Sequence, residues 1–227
     1  VADGPVSEGV RRVVERQDAR VIWLPENVGA GPASQAGLAT IDSEYTARLD
    51  SDDAAKPERF ARQLEYLEAH PEVGALGSAV EEFTETPGDT GKVRALPENP
   101  HAYATINSPV NNPSVMLRTR AAVDVGGYKD VHFMEDYDLY ARLIAGGWQV
   151  RNLPEALTDF QVTDAQFSRR TGHEMFAAEL QMQRNLVSYG LISRPRAVLN
   201  VAARSAYRAL PTGLLRRVYA VLFHRGE

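Results

Sequence analysis

Up to Phe160, apolar positions alternate between a helical rhythm and short continuous runs. Val6, Val10, Val13 and Val14 stand at helical spacing in VSEGVRRVVERQ, whereas ARVIWLP is a short β-branched run that predicts a buried strand. NVGAGPASQAGLATI opens on glycines and continues as a small-residue helix, and EYTARLD predicts a strand that ends in acids. PERFARQLEYLEAH places Pro57 at a helix start, with Phe60, Leu64 and Leu67 on one face. VGALGSAVEEF predicts a strand again. Thr84 to Pro100 has no periodicity and predicts a mobile surface loop. PSVMLRT predicts a strand, RAAVDVGG a short helix stopped by Gly126 and Gly127, and EDYDLYARLIAGG a helix with a glycine stop. WQVRNLPEALTDFQV predicts one or two strands, and from Gly172 onward the pattern is helical only. Such alternation implies βαβ units: an α/β fold with a mixed, mostly parallel sheet and helices on its faces.

The 227 residues, 44% of them hydrophobic, suit one domain of ordinary core size with an appendage. We place the boundary between an α/β domain of residues 1–170 and a helical extension of residues 171–227. The absence of cysteine excludes a disulfide frame, a thiolate metal site and a cysteine nucleophile. No run reaches the roughly 20 apolar residues of a membrane span. VADGP lacks an initiator Met and reads like a strand end entering a loop, so we expect a chain cut short at its N-terminus. The net charge of −5 is unevenly spread: seven arginines and one acid lie between Arg194 and Glu227, so the body is strongly acidic. That body is unsuited to nucleic acid, while the basic tail is a candidate for an anionic surface.

The acidic run at Asp50, Asp52 and Asp53 carries the most chemistry. Three carboxylates at a strand end repel one another unless a cation joins them. In an open sheet that edge is where ligands sit. Oxygen ligands there suit Mg²⁺ or Mn²⁺, ions that also hold substrate phosphates. The competing reading is a solvated turn whose acids favour the helix N-terminus at Pro57. An EF-hand fails, because Ala55 and Ala61 stand where its glycine and bidentate glutamate belong. Gly29, Gly31 and Gly37 allow tight turning, yet they match neither the P-loop nor the dinucleotide fingerprint. Glu135 and Asp136 fall at a helix start, where Asp136 is either a general base or a capping acid. The five histidines are scattered without ligand spacing.

In order, VADGP, NVGAGPASQAG, RLDSDD…PERF, NPSVM, GGY and EDYDLYARL resemble the family 2 glycosyltransferases of the GT-A fold, and among them the bacterial exopolysaccharide and capsule enzymes of the amylovoran type. The resemblance spans nearly the whole chain. It implies an inverting transfer of sugar from a nucleotide-diphosphate sugar to a saccharide or polyprenyl-linked acceptor, with Mn²⁺ or Mg²⁺. It implies that Asp3 meets the nucleotide base, that Asn27 and Gly29 flank nucleotide and sugar, and that Gly127 and Tyr128 border the donor sugar or acceptor. Asp50 would lie near the ribose and Asp52 on the metal, as the ends of a DxD motif, with Asp53 assisting. Asp136 would be the catalytic base and Glu135 its neighbour on the acceptor side.

Two departures accompany the resemblance. A first strand and helix usual in such proteins are missing here, and Thr163 in FQVTDAQFSRR stands where relatives carry a metal- or phosphate-facing His. Arg169 or Arg170 is the candidate to offset phosphate charge instead. In LPTGLLRRVYAVLFHR, Leu214, Leu215, Val218, Val221 and Leu222 can share a stripe flanked by Arg216, Arg217 and Arg225. This is the pattern of a basic helix lying on an anionic bilayer, or of one packing on the body. The expected place is the cytoplasm, peripheral on the inner membrane face. A sugar-nucleotide nucleotidyltransferase would need an early glycine-rich basic loop, which is not visible, and a truncated, non-catalytic nucleotide-binding module is the remaining alternative.

Overall fold

The strands are β1 (Tyr45–Ala47), β2 (Ala54–Ala55), β3 (Val73–Phe83), β4 (Lys92–Arg94), β5 (Met116–Arg118) and β6 (Gln149–Gln161). The helices are α1 (Glu8–Glu15), α2 (Ala30–Leu38), α3 (Arg59–Ala69), α4 (Thr119–Asp124), α5 (Glu135–Ala145), α6 (His173–Ser188) and α7 (Arg194–Arg208). This computed structural model describes residues 1–163 and 173–208. The sheet runs β1-β5-β3-β6-β2, with β4 also on β3.

The long strands β3 and β6 pair in parallel from Val73↔Gln149 to Phe83↔Gln161. The short strands all pair antiparallel: β1 with β5, β5 and β4 with β3, and β2 with β6. The sheet is therefore mixed as expected, with its parallel share concentrated in one long pair. Register shifts between Val73 and Ala75 and between Ser78 and Val80 let that pair curl.

Alternation along β3 sends successive residues to opposite layers. Ala75 joins Leu38, Leu117, Tyr128, Leu139, Tyr140 and Leu143 beneath α2, α4 and α5. Leu76 joins Leu67, Met116, Leu153 and Leu157 on the side of α3. A third cluster, with Met134, Tyr137 and Ala141 against Met182 and Leu186, seats α6 on α5.

Two expectations are corrected. The stretch Thr84–Pro100 is not all irregular, since Lys92–Arg94 forms β4; Arg94 is buried with its guanidinium 4.4 Å from the Phe160 ring. Three residues are too few to reveal a period in sequence. ARVIWLP does not form a regular strand: Trp23 makes one parallel bridge with Ala2, through Ala2 N–H to Ile22 O at 2.8 Å and Leu24 N–H to Ala2 O at 3.0 Å. Its β-branched residues find one bridging neighbour where a strand needs a ladder.

Inside α5, Asp138 is fully buried. Its carboxylate accepts from Arg142 Nε at 2.7 Å, and from Asn185 Nδ2 at 2.8 Å and the Tyr189 hydroxyl at 2.7 Å on the α6 side. Arg142 also donates to Val125 O at 2.5 Å and Gly127 O at 2.7 Å, so one ion pair ties the glycine turn, α5 and α6 together. Removing one member of a buried pair strands the other. Asp138→Ala is expected to lower stability by about 3–5 kcal/mol in denaturant unfolding; a loss within about 0.5 kcal/mol, as at an exposed site, would contradict this.

Candidate active site

Four segments converge where β1 runs out. The N-terminal loop brings Asp3, whose carboxylate accepts from Val28 N–H at 2.7 Å and Gly29 N–H at 3.1 Å. Asn27 Nδ2 donates to Asp3 O at 3.3 Å. Asp3 thus shapes the turn that starts α2, with Gly29 at φ +89° as its N-cap. Two residues on, Gly31 packs against the chain before α5: a Cβ there would lie 2.5 Å from Lys129 O and 3.2 Å from Glu135 Cβ. Only a glycine admits that approach, and it sets the Asn27–Gly29 loop beside Glu135.

Gly126 and Gly127 stop α4 with φ of +85° and +64°. Tyr128 N–H donates to Gln35 Oε1 at 2.8 Å, fastening this turn to α2. The Tyr128 ring is buried in the core, and its hydroxyl meets Arg48.

The acidic loop follows β1. Arg48 donates from Nε to Asp50 Oδ1 at 3.2 Å and from Nη1 to Ser34 Oγ at 2.8 Å, and its Nη2 lies 3.0 Å from Asp50 Oδ1. Burial alone would pull the Arg48 guanidinium down, but Asp50, the Tyr128 and Tyr140 hydroxyls and Asp136 hold it above its ordinary value. One cation thus stands between the acidic loop and α5. Sequence reading missed Arg48; the available signal was a lone cation inside the apolar run EYTARLD.

Asp53 is pinned to the far end of β6, its Oδ1 accepting from Gln161 N–H at 2.8 Å. Its Oδ2 is buried without a hydrogen-bond partner. Burial, then Asp52 and Asp50 against the Gln161 N–H, push its carboxyl up to about 6. Asp52 is exposed beside it.

On α5, the N-cap is Met134, so Asp136 is not the capping residue; it lies in the first turn with Glu135. Its Oδ1 accepts from Tyr137 N–H at 2.7 Å, and the residue's own backbone N–H also favours the ionised carboxylate. Burial and the neighbouring Glu135 push Asp136 up to about 6, with the Tyr137 N–H and Arg48 opposing them. Burial likewise raises Glu135, with Arg48 opposing and Asp50 adding to the rise. The fields of Asp50 and Asp136 meet on the same two groups, half-buried Arg48 and buried Tyr140. Arg169, Arg170 and the tail of residues 209–227 lie outside the described residues.

The acidic loop fits a hard divalent ion. A buried carboxylate oxygen without a donor, next to an exposed carboxylate, is the arrangement a cation would satisfy. Among the described residues no cluster of three or more His, Asp or Glu forms a ready-made cage. Mg²⁺ and Mn²⁺ sites at phosphates need none, since one or two carboxylates suffice when substrate phosphate and water supply the rest.

The fold is that of the GT-A glycosyltransferases, and the profile of glycosyl transferase family 2 matches residues 1–124: the chain belongs to that family. It is 33% identical over 224 residues to the amylovoran biosynthesis glycosyltransferase AmsE of Erwinia amylovora, covering 96% of this chain and 84% of that protein. It is 28% identical over 231 residues to the UDP-Gal:α-D-GlcNAc-diphosphoundecaprenol β-1,3-galactosyltransferase of Escherichia coli, covering 99% of this chain and 84% of that protein. Among solved structures it resembles S. aureus TarS 1-349 in complex with UDP-GlcNAc (TM-score 0.62, 13% identity, 97% of this chain and 64% of that one). It also resembles a mannosyltransferase of Pyrobaculum calidifontis in complex with GDP-Man and Mn²⁺ (TM-score 0.54, 18% identity, 95% of this chain and 68% of that one). The chain thus spans under two thirds of the TarS chain it matches.

Proposed function

We propose that this chain carries out an inverting, metal-dependent transfer of a sugar from a nucleoside-diphosphate donor to a saccharide or polyprenyl-linked acceptor, in the assembly of a bacterial surface polysaccharide. The observation that carries this reading is the position of Arg48, which hydrogen-bonds Asp50 and feels the charge of Asp136; it supports a diphosphate anchor and a base sharing one site. The names of the Erwinia and Escherichia coli relatives support the polysaccharide setting and the lipid-linked acceptor.

In this reading Asp3, Asn27 and Gly29 form the wall for the nucleotide, and Asp50 faces its ribose. Asp52 and Asp53 would hold Mn²⁺ or Mg²⁺, which when bound supplies Lewis-acid neutralisation of the leaving diphosphate. Asp136 takes the proton of an acceptor hydroxyl. The acceptor oxygen forms a bond to the anomeric carbon as the carbon–oxygen bond to the diphosphate breaks, and the electron pair leaves with the diphosphate. One base and one displacement invert the anomeric centre. Arg48 keeps Asp50 in place and favours the ionised form of Asp136, offsetting part of the effect of burial. Gly127 and Tyr128 act through shape, the tyrosine hydroxyl meeting Arg48 at the edge of the sugar site.

A thermal-shift screen of nucleotide sugars with and without Mn²⁺ tests this directly. One donor is expected to raise the Tm only with metal present, because ligand that binds the folded state alone stabilises it. Equal shifts with and without metal for every donor would refute metal dependence, and no shift with any donor would refute the donor class.

A further inference from the structure

Helix α7 is inside out. Its inward side is polar: Asn200 is 2% exposed and donates to Thr105 O at 2.8 Å and Gln183 Oε1 at 2.9 Å. One turn on, Arg204 donates to buried Glu179 Oε2 at 2.5 Å, Ile106 O at 2.7 Å and Asn107 Oδ1 at 3.1 Å. Its outward side is apolar: Val198 is 68% exposed and Leu199 66%, with exposed Pro195 and Ala202 on the same face. Arg194 and Arg196, both exposed, fall on opposite sides of that face at helical spacing. The helix contains no acid, and the chain beyond it adds Arg216, Arg217 and Arg225.

A helix that spends its polar residues on the protein and shows its aliphatic ones outward is built for a second contact. The sign of the flanking charge specifies that contact: apolar at the centre, anionic around it. A bilayer surface bearing acidic headgroups has this chemistry, and the helix would lie in its interface. No helix among the described residues is long and apolar enough to cross a membrane, so the contact is one of lying on, not spanning.

We infer that the Val198–Leu199 face of α7, flanked by Arg194 and Arg196, docks this protein on an anionic lipid surface. The inference deepens the proposed function, on which it rests for one point only: that a lipid-linked acceptor would be met at such a surface. The polar grip of α7 on Glu179 and the Thr105–Asn107 loop would then hold the α/β domain at a fixed height above the bilayer.

The test is co-sedimentation of the full chain with phosphatidylcholine vesicles containing or lacking phosphatidylglycerol. Wild type is expected to sediment only with the anionic vesicles, and added salt is expected to weaken the binding. Val198→Glu with Leu199→Glu, both at exposed positions, is expected to reduce binding roughly tenfold or more. Arg194→Gln with Arg196→Gln should reduce it several-fold. Undiminished binding of the Glu variant would overturn the proposal and assign binding to another segment. A wild-type dimer that the Glu variant converts to monomer, with vesicle binding unchanged, would overturn it in favour of a second copy of the chain. Metal-dependent binding of nucleotide sugar, measured without vesicles, is expected to be the same in wild type and both variants. Its absence in wild type would sink the transferase reading while leaving the docking result to stand or fall alone.

Discussion

Asp136→Asn is expected to reduce kcat by about 10²–10⁴-fold while leaving donor affinity within a factor of about two, because a general base contributes in the transition state and little to ground-state binding. Isothermal calorimetry beside a transfer assay separates the two, and parallel loss of binding and turnover would contradict the assignment. The pH profile offers a second check. Asp136 is held near 6 by burial and by Glu135, and the base must be ionised. Turnover on free donor should therefore fall as pH drops through about 6, and not near the ordinary carboxylate range. The sign for stability follows the same shift. The folded carboxyl binds its proton more tightly than the unfolded one, so its contribution to stability is favourable below the unfolded value and is lost as pH rises through about 6. Asp136→Asn should accordingly be more stable than wild type at pH 7.5, by on the order of 1 kcal/mol once screening is allowed for, with the difference shrinking toward pH 4. A site that gives up stability for a base is the trade expected of catalytic machinery.

Asp52→Ala is expected to abolish the metal-dependent part of nucleotide binding. With the exposed carboxylate gone, Asp50 remains engaged by Arg48 and only Asp53 Oδ2 is left to meet a hard ion on the protein side. Titration of UDP or GDP into the variant should give the same weak affinity with and without Mn²⁺, about tenfold or more below wild type with metal. Undiminished affinity in Mn²⁺ would refute the role.

Much of this was legible in the order of residues. The helices α2, α4 and α5 and the strands β3, β5 and β6 follow from periodicity and from glycine stops. α3 is marked by Pro57, but its inward side is Arg59, Gln63 and Leu67. Phe60, expected on the apolar face, is 54% exposed because the Arg59 guanidinium and Gln63 amide find backbone carbonyl partners inside. β4 was hidden because three residues cannot display an alternation, and ARVIWLP misled because a β-branched run signals burial without supplying a partner strand. At the site, acids were visible as acids, but a residue that works by standing between them was not. Arg48 looks like an ordinary strand residue until β1 and α2 bring Asp50 and Ser34 to it from either side. Likewise, Tyr128 could be placed next to a glycine turn in sequence, but only the fold puts its ring in the core with its hydroxyl against Arg48.

The grip of α6 on Asp138 has a mechanical consequence. Asn185 and Tyr189 hold a carboxylate that lies two residues from Asp136 on the first turn of α5. A displacement of the helical pair would therefore be felt in the same helical turn that carries Asp136. An enzyme so wired would register whether its appendage is seated before its chemistry begins.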